Sequence, residues 1–276
     1  MKNVHKFQSF LAKNSDAPFS VKVKVWSAAL NSALLYGAET WWTSNLKAAD
    51  KLYLGTLKDL LSVRTTVCTD LVYIESGMGS ASANIKRRQV KFLKKLMARS
   101  DYNQSYLSHL ITKAVEVQSP MGVYIQKLQR IEGDPVRNEL ELLRRKIRNN
   151  VDSSRRSTYK LLNPDLFAPQ IYIGQSSVPE HQRIAYTRIR LGSHRLKIET
   201  GRWSRTPRER RLCSCGHVQD EDHVLLKCSL ISDIRQSFPG LDYSSLENLM
   251  RTDDMSDISK YVYRVMKKMD EINRIT

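Results

Sequence analysis

The sequence predicts a mainly α protein in which a helical domain leads into a small metal-organised module and a terminal amphipathic helix. Apolar residues recur at helical spacing through most of the first 165 positions. Three of the four cysteines fall within 16 residues of one another, with a histidine among them. Near the end, Ile258, Val262, Val265, Met269 and Ile272 repeat at 4-3-4-3 spacing, the stripe of a helix with one buried face.

In chain order, Val21, Val25, Ala28, Ser32 and Leu35 form one narrow face that ends at Gly37, and Leu46, Ala49, Tyr53, Leu57 and Leu60 form a second. The second helix carries an unfavourable Gly55. Gly77-Met78-Gly79-Ser80 reads as a turn, too short to cradle a phosphate. Ser82 is placed to cap the next helix, with Ile85, Gln89, Phe92 and Leu96 inward and Lys86, Arg87, Arg88, Lys91, Lys94 and Lys95 on the wet side. Tyr106, Leu107, Leu110, Ile111 and Ala114 make a further stripe. Pro120 starts a segment bearing Tyr124, Leu128 and Ile131, which Gly133 breaks. Asp134 as N-cap and Pro135 at the first helical position then launch Val136, Leu140, Leu143 and Ile147, with Arg144, Arg145, Lys146 and Arg148 opposite. Pro164, Pro169 and Pro179 argue against a continuous helix over 163–180, which reads as a linker with at most a short strand at Ile171–Ile173. The expected division is therefore 1–162, a helical domain; 163–180, a linker; and 181–276, a basic segment, metal module and terminal helices.

Length and composition permit sizeable cores: 276 residues, 41% hydrophobic. No apolar run reaches the roughly 18–20 residues of a membrane span, and no apolar stretch follows the basic Met1-Lys2-Asn3-Val4-His5-Lys6 to make a secretory signal. The expected location is nucleus or cytoplasm, not a secreted compartment, and no membrane partner is expected. A net charge of +17 and a pI near 9.8 point to an anionic polymer. The charge is uneven. Residues 181–211 hold ten Lys/Arg against Glu199 and Glu209, a net +8, whereas residues 212–276 sum to −3.

That basic stretch runs directly into Cys213-Ser214-Cys215, His223 and Cys228. Three thiolates and one imidazole match the closed Cys₃His shell of structural zinc, with no position left open for chemistry. C-x-C in place of C-x₂-C makes the pattern atypical. Alternatives are unliganded thiols, or a disulfide in an oxidising compartment. His217 is a substitute ligand, ranked below His223, because Asp222 to Cys228 spaces its ligands about a helical turn apart. Cys68 lies apart, with no histidine or basic pair to activate it, and reads as structural. His109 and His181 receive no role.

The basic stretch reads as a nucleic-acid contact surface built from Arg183, Arg188, Arg190, Arg195, Lys197, Arg202, Arg205, Arg208, Arg210 and Arg211, whose forked donors suit phosphate. Tyr186 and Trp203 are placed to stack unpaired bases. Lys86, Arg87 and Arg88 form a second candidate contact.

Several phrases occur in a telling order. Leu35-Tyr36-Gly37-Ala38-Glu39-Thr40-Trp41 precedes Tyr73-Ile74-Glu75-Ser76-Gly77 and Ile85-Lys86-Arg87-Arg88-Gln89. Arg188-Ile189-Arg190-Leu191-Gly192-Ser193-His194, Ile198-Glu199-Thr200-Gly201-Arg202-Trp203 and the Cys/His cluster follow. Together they resemble the carboxy-terminal third of non-LTR (LINE-type) retrotransposon reverse transcriptases, over about residues 20–235. The resemblance implies a thumb at about 20–100, linker helices after it and a terminal CCHC zinc knuckle. It further implies that the thumb grips template–primer duplex and that the knuckle region holds element RNA or target DNA. Trp41-Trp42 would pack such a thumb against the palm or linker.

The family's Tyr/Phe-x-Asp-Asp phrase, whose carboxylates hold two catalytic metals, is absent. The only Asp-Asp, Asp253-Asp254, sits between two terminal helices and reads as helix-capping. No endonuclease segment is recognisable, and 48 residues after Cys228 are few for a nuclease fold. The sequence thus predicts no catalytic residues and no enzyme. It predicts a zinc-dependent binder of structured RNA first and duplex DNA second. The rivals are a fragment of an RNA-directed DNA polymerase active only with its palm, and a zinc-organised protein-interaction module.

Overall fold

The computed structural model describes all residues except 1, 42–44, 100, 150–153, 175–176, 253 and 276. Of the expectations above, those on Trp42 and Asp253 lie outside the described residues. The chain is mainly α: the described residues form sixteen α-helices, interspersed with short 3₁₀ and π turns, and a single β-bridge, Leu212 with Val218. No described helix is long and apolar enough to cross a membrane.

The longest helix is the last, Met255–Ile275. Its apolar stripe does what the spacing predicts: Ile258, Val262, Val265 and Met269 are all fully buried. Each contributes roughly 1.5–3 kcal/mol relative to exposure. This helix packs along Glu180–Arg190. Helix Lys47–Leu61 likewise buries Tyr53, Leu57 and Leu60. Asp134 caps Pro135–Asn149 by accepting from the Val136 and Arg137 amides.

One apolar core runs from Phe7 to Met269. Residues 163–180 join it through Leu166, Tyr172 and Ile173, and the expected strand is instead a helical turn, Ile171–Gly174. A smaller core of Val90, Leu93, Ile111, Ile125 and Leu128 holds the hairpin of Tyr106–Glu116 and Pro120–Gln129 against Ala81–Met97.

Three local readings are corrected. Ser80, not Ser82, caps Ala81–Met97 by accepting from the Ala83 amide; Ser82 is drawn to Asp50, whose carboxylate accepts from its amide and hydroxyl. Early in the chain the buried face is Phe19, Lys22, Trp26 and Leu30, while Val21 is exposed. The phase shifts because Lys22 enters the interior to meet Glu180 at 2.7 Å and the Ser15 carbonyl at 2.6 Å. On Tyr106–Glu116 only Ile111 and Ala114 of the expected stripe are buried; Tyr106, Leu107 and Leu110 are exposed.

Candidate metal centre and basic surface

Cys213, Cys215, His223 and Cys228 converge. Their donor atoms all lie within 4.8 Å of one another. The Cys213–Cys228 and Cys215–Cys228 sulfur separations are each 3.8 Å, and Cys215 Sγ lies 3.0 Å from His223 Nε2. Bonds of about 2.3 Å to a tetrahedral ion place sulfurs about 3.8 Å apart, so the sulfur set is already near coordination spacing.

Local sequence explains the convergence. Residues 212–218 form a tight loop closed by the Leu212–Val218 bridge, in which the Cys213 amide donates to the His217 carbonyl and the Gly216 amide to the Cys213 carbonyl. Gly216 sits at φ +93°, where a side chain would be strained. Asp220 then accepts from the His223 amide and starts a π-helical turn, His223–Lys227, that brings His223 and Cys228 onto the loop. The Cys228 amide donates back to the His223 carbonyl.

The sulfurs are prepared unequally. Burial pushes the Cys228 thiol up to about 12, against a backbone hydrogen bond from Leu230. At Cys213 burial also pushes up, but hydrogen bonds from the Cys215 backbone and neighbouring side chains outweigh it and leave the thiol below its ordinary value. Burial holds His223 below the usual histidine range, and the neighbouring His217 acts in the same direction, which favours the neutral imidazole that ligates metal. His217 is exposed, stacks on His223 at 5.2 Å, and places Nδ1 3.9 Å from Cys215 Sγ, beside the four-donor set. Cys68 remains remote from it, ahead of helix Thr69–Ser76.

The metal loop is fastened to its surroundings by Gln219, a residue that composition and spacing give no reason to notice. Fully buried, it exchanges amide hydrogen bonds with Asn273 on the terminal helix. Its side-chain and main-chain carbonyls accept from the Lys197 and Ile198 amides at the start of helix Lys197–Trp203. The four-donor loop therefore sets the position of the helix that presents Arg202 and Trp203.

The nominated basic residues divide into interior and surface groups. Arg183 is interior, forked onto Glu180 at 2.7 Å and lying 4.5 Å over the Phe19 ring. Arg190 is interior too: it bonds Glu75 at 2.7 Å, Gln170 at 2.7 Å and the Leu162 carbonyl. Neither can meet a phosphate, because each side chain is about 2% exposed and already saturated with partners. Tyr186 is also buried, edge-on to Tyr172, which removes it as a stacking platform. Arg211 spends its donors on the Thr206 and Ile198 carbonyls. These four are corrections to the sequence reading, and their cause is tertiary partnering.

Arg188, Arg195, Arg205, Arg208 and Arg210 are exposed, Lys197 and Arg202 partly so. Arg208 pairs with Asp220 at 2.8 Å. Trp203 is 55% exposed. Lys86, Arg87 and Arg88 are exposed on their own helix, where Arg87 approaches Asp134 at 3.6 Å and Arg88 donates to the Leu35 carbonyl.

No protein-family model matches this chain, and neither a curated protein nor a solved structure does.

Proposed function

We propose that the chain is a zinc-organised nucleic-acid-binding protein of the kind found in the carboxy-terminal part of non-LTR retrotransposon reverse transcriptases. Structured RNA is its first ligand and duplex DNA its second, and it has no catalytic role of its own. The observation that carries this reading is the link from the Cys₃His donors through Gln219 to helix Lys197–Trp203, with exposed arginines on both sides of it. Three sulfurs and one imidazole suit zinc, which would close the shell, neutralise thiolate charge and contribute folding energy. Cys213, Cys215, His223 and Cys228 would hold it. Arg205, Arg208 and Arg210 lie on the approach to the loop these donors close, with Arg188, Lys197, Arg202 and Trp203 on the neighbouring helices and Arg195 between those helices. Lys86, Arg87 and Arg88 add a second positive surface for a long polymer.

The test is metal content of the purified protein, followed by binding to a labelled RNA hairpin and a DNA duplex across a salt series. We expect one zinc per chain and submicromolar affinity at low salt. If about six phosphates are neutralised, log K falls against log salt with a slope of about −4 to −5. Absence of binding to both polymers at low salt overturns the reading.

A further inference from the structure

Glu199 is a buried carboxylate in the first turn of helix Lys197–Trp203, within the chain's most basic region, and three guanidinium groups crowd it. Arg64 approaches to 3.7 Å, Arg155 to 3.6 Å and Arg202 to 3.1 Å. One carboxylate cannot neutralise three such cations. The cluster keeps a net positive charge in a partly dehydrated place, where charge interactions are stronger than in water. Arg64 is the least satisfied member. Its Nη2 donates to the Gly192 carbonyl at 2.6 Å, while its buried Nε and Nη1 have no partner. Burial, together with the nearby Arg155 and Arg188 charges, holds this guanidinium below the usual arginine range against the opposing pull of Glu199.

Arg64 also lies 4.2 Å over the ring of Trp203, the most exposed tryptophan among those described. The guanidinium covers one face and leaves aromatic surface open to solvent. Arg64 and Trp203 line, with Arg188 and Arg195, part of a cleft of about 1180 Å³ that is walled also by helix Lys2–Lys13, residues 59–63 and the terminal helix. The cleft is not uniformly basic, since Asp16, Asp59, Asp270 and Glu271 line it as well. These carboxylates lie on other elements than Arg64, Arg188 and Arg195, although Asp270 and Glu271 share the terminal helix with Lys267 and Arg274. A duplex carries phosphates on both flanks and would bring some against the carboxylates. A single strand can turn its phosphates to the arginines and its bases to Trp203 and the carboxylates, which accept from exocyclic amino groups.

We propose that this cleft is a binding site for a single-stranded nucleic-acid segment. Phosphodiester groups sit against Arg64, Arg188 and Arg195, which line it, with Arg155 and Arg202 adding positive charge from beside Glu199, and an unpaired base stacks on Trp203. The inference rests on the nucleic-acid reading above and adds to it a place, two unnominated arginines and a strand state. Single-strandedness also fits the RNA first choice, because hairpin loops and ends supply unpaired bases.

The experiment uses the full chain and three probes: a fluorescein-labelled 12-nucleotide oligouridylate, an RNA hairpin and a blunt DNA duplex. Trp203→Ala, Trp203→Phe and Arg64→Gln/Arg155→Gln are compared with wild type by anisotropy, with thermal melts confirming folding. Stacking of one base is worth roughly 1–3 kcal/mol, so Trp203→Ala should weaken oligouridylate binding about 10-fold or more. Trp203→Phe should recover most of the loss, and duplex affinity should change little. The double arginine variant should weaken the same probe and flatten its salt dependence. Wild-type affinity for oligouridylate in Trp203→Ala and in the arginine variant overturns the site alone, as does a wild type that binds duplex but no single strand. A wild type that binds none of the probes overturns the nucleic-acid reading with it.

Discussion

Replacing Arg190 with methionine separates a buried structural arginine from a phosphate contact. Arg190 and Glu75 form an ion pair with side-chain exposures of 2% and 0%. Glu75 also accepts from the Tyr159 hydroxyl at 2.6 Å and the Tyr172 hydroxyl at 2.5 Å. The arginine further bonds Gln170 and the Leu162 carbonyl and lies 5.4–6.0 Å from three tyrosine rings. Methionine conserves much of the volume but leaves a buried carboxylate without counter-charge, a defect that costs about 3–5 kcal/mol. The two tyrosine hydroxyls soften the loss, and the orphaned Leu162 and Gln170 acceptors add to it, so about 4 kcal/mol is expected. At about 2–4 °C per kcal/mol for large domains, Tm should fall by about 8–16 °C. The assay is urea unfolding followed by circular dichroism, beside RNA anisotropy at a temperature where the variant is folded. Affinity per folded molecule should be unchanged. Glu75→Leu/Arg190→Met should regain part of the stability, because removing both charges avoids the unpaired one. If Arg190→Met unfolds with wild type and instead loses RNA affinity, the buried-pair account is refuted.

Cys228→Ser should abolish stoichiometric zinc and, through Gln219, raise amide exchange over residues 197–203 well before it affects the 106–129 hairpin; equal exchange in both regions would break the proposed linkage. Gly122→Ala should destabilise by about 3 kcal/mol in urea unfolding. Its Cβ would meet the Ala114 carbonyl oxygen at 2.0 Å, a backbone atom that cannot swing aside, where the two hairpin helices meet. Burial raises the hydroxyl pKa values of Tyr53, Tyr73, Tyr159, Tyr172, Tyr186 and Tyr261. Folded pKa values above the unfolded value of about 10 mean that the unfolded chain releases these protons first. This contribution is intact below pH about 10 and is lost as pH rises through the folded values. Ultraviolet titration should show tyrosinate delayed until unfolding, and early ionisation of most tyrosines would contradict the burial. Arg205→Gln/Arg210→Gln should reduce the magnitude of the salt slope by about 1.4–1.8, and Arg183→Gln should leave it unchanged while lowering Tm.

What the sequence made legible was what neighbours along the chain decide. The Ile258-to-Met269 stripe, the Asp134-Pro135 helix start and the Cys213–Cys228 cluster all depend on spacing of a few residues, and each holds in the structure. Local signals erred where a distant group competed. Ser82 and Ser80 are equally good caps by type, and Asp50, some thirty residues away, claims Ser82. Ile171 and Ile173 favour a strand by side-chain shape, yet the described residues offer no strand to pair with, and as a helical turn the segment delivers Tyr172 to Glu75.

The arginines show the limit most clearly, because charge counted along a chain takes no account of where its partner lies. Arg183 and Lys22 share Glu180, and Arg190 takes Glu75, a carboxylate 115 residues earlier. Both carboxylates lie outside 181–211, so the segment's formal +8 overstates what it offers to a ligand. Arg64 and Arg155, invisible to any count of that segment, are folded back against Glu199 within it. The positive surface is therefore assembled by the fold. Two arginines leave it for the core, two arrive from elsewhere, and Trp203 gains an arginine on one face that its own sequence neighbours do not supply. A polymer that met only a basic tail would bind by charge alone. One that meets this arrangement would face guanidinium groups, an aromatic ring and carboxylates in a single cleft, and on the proposed reading strand state as well as charge would decide its affinity.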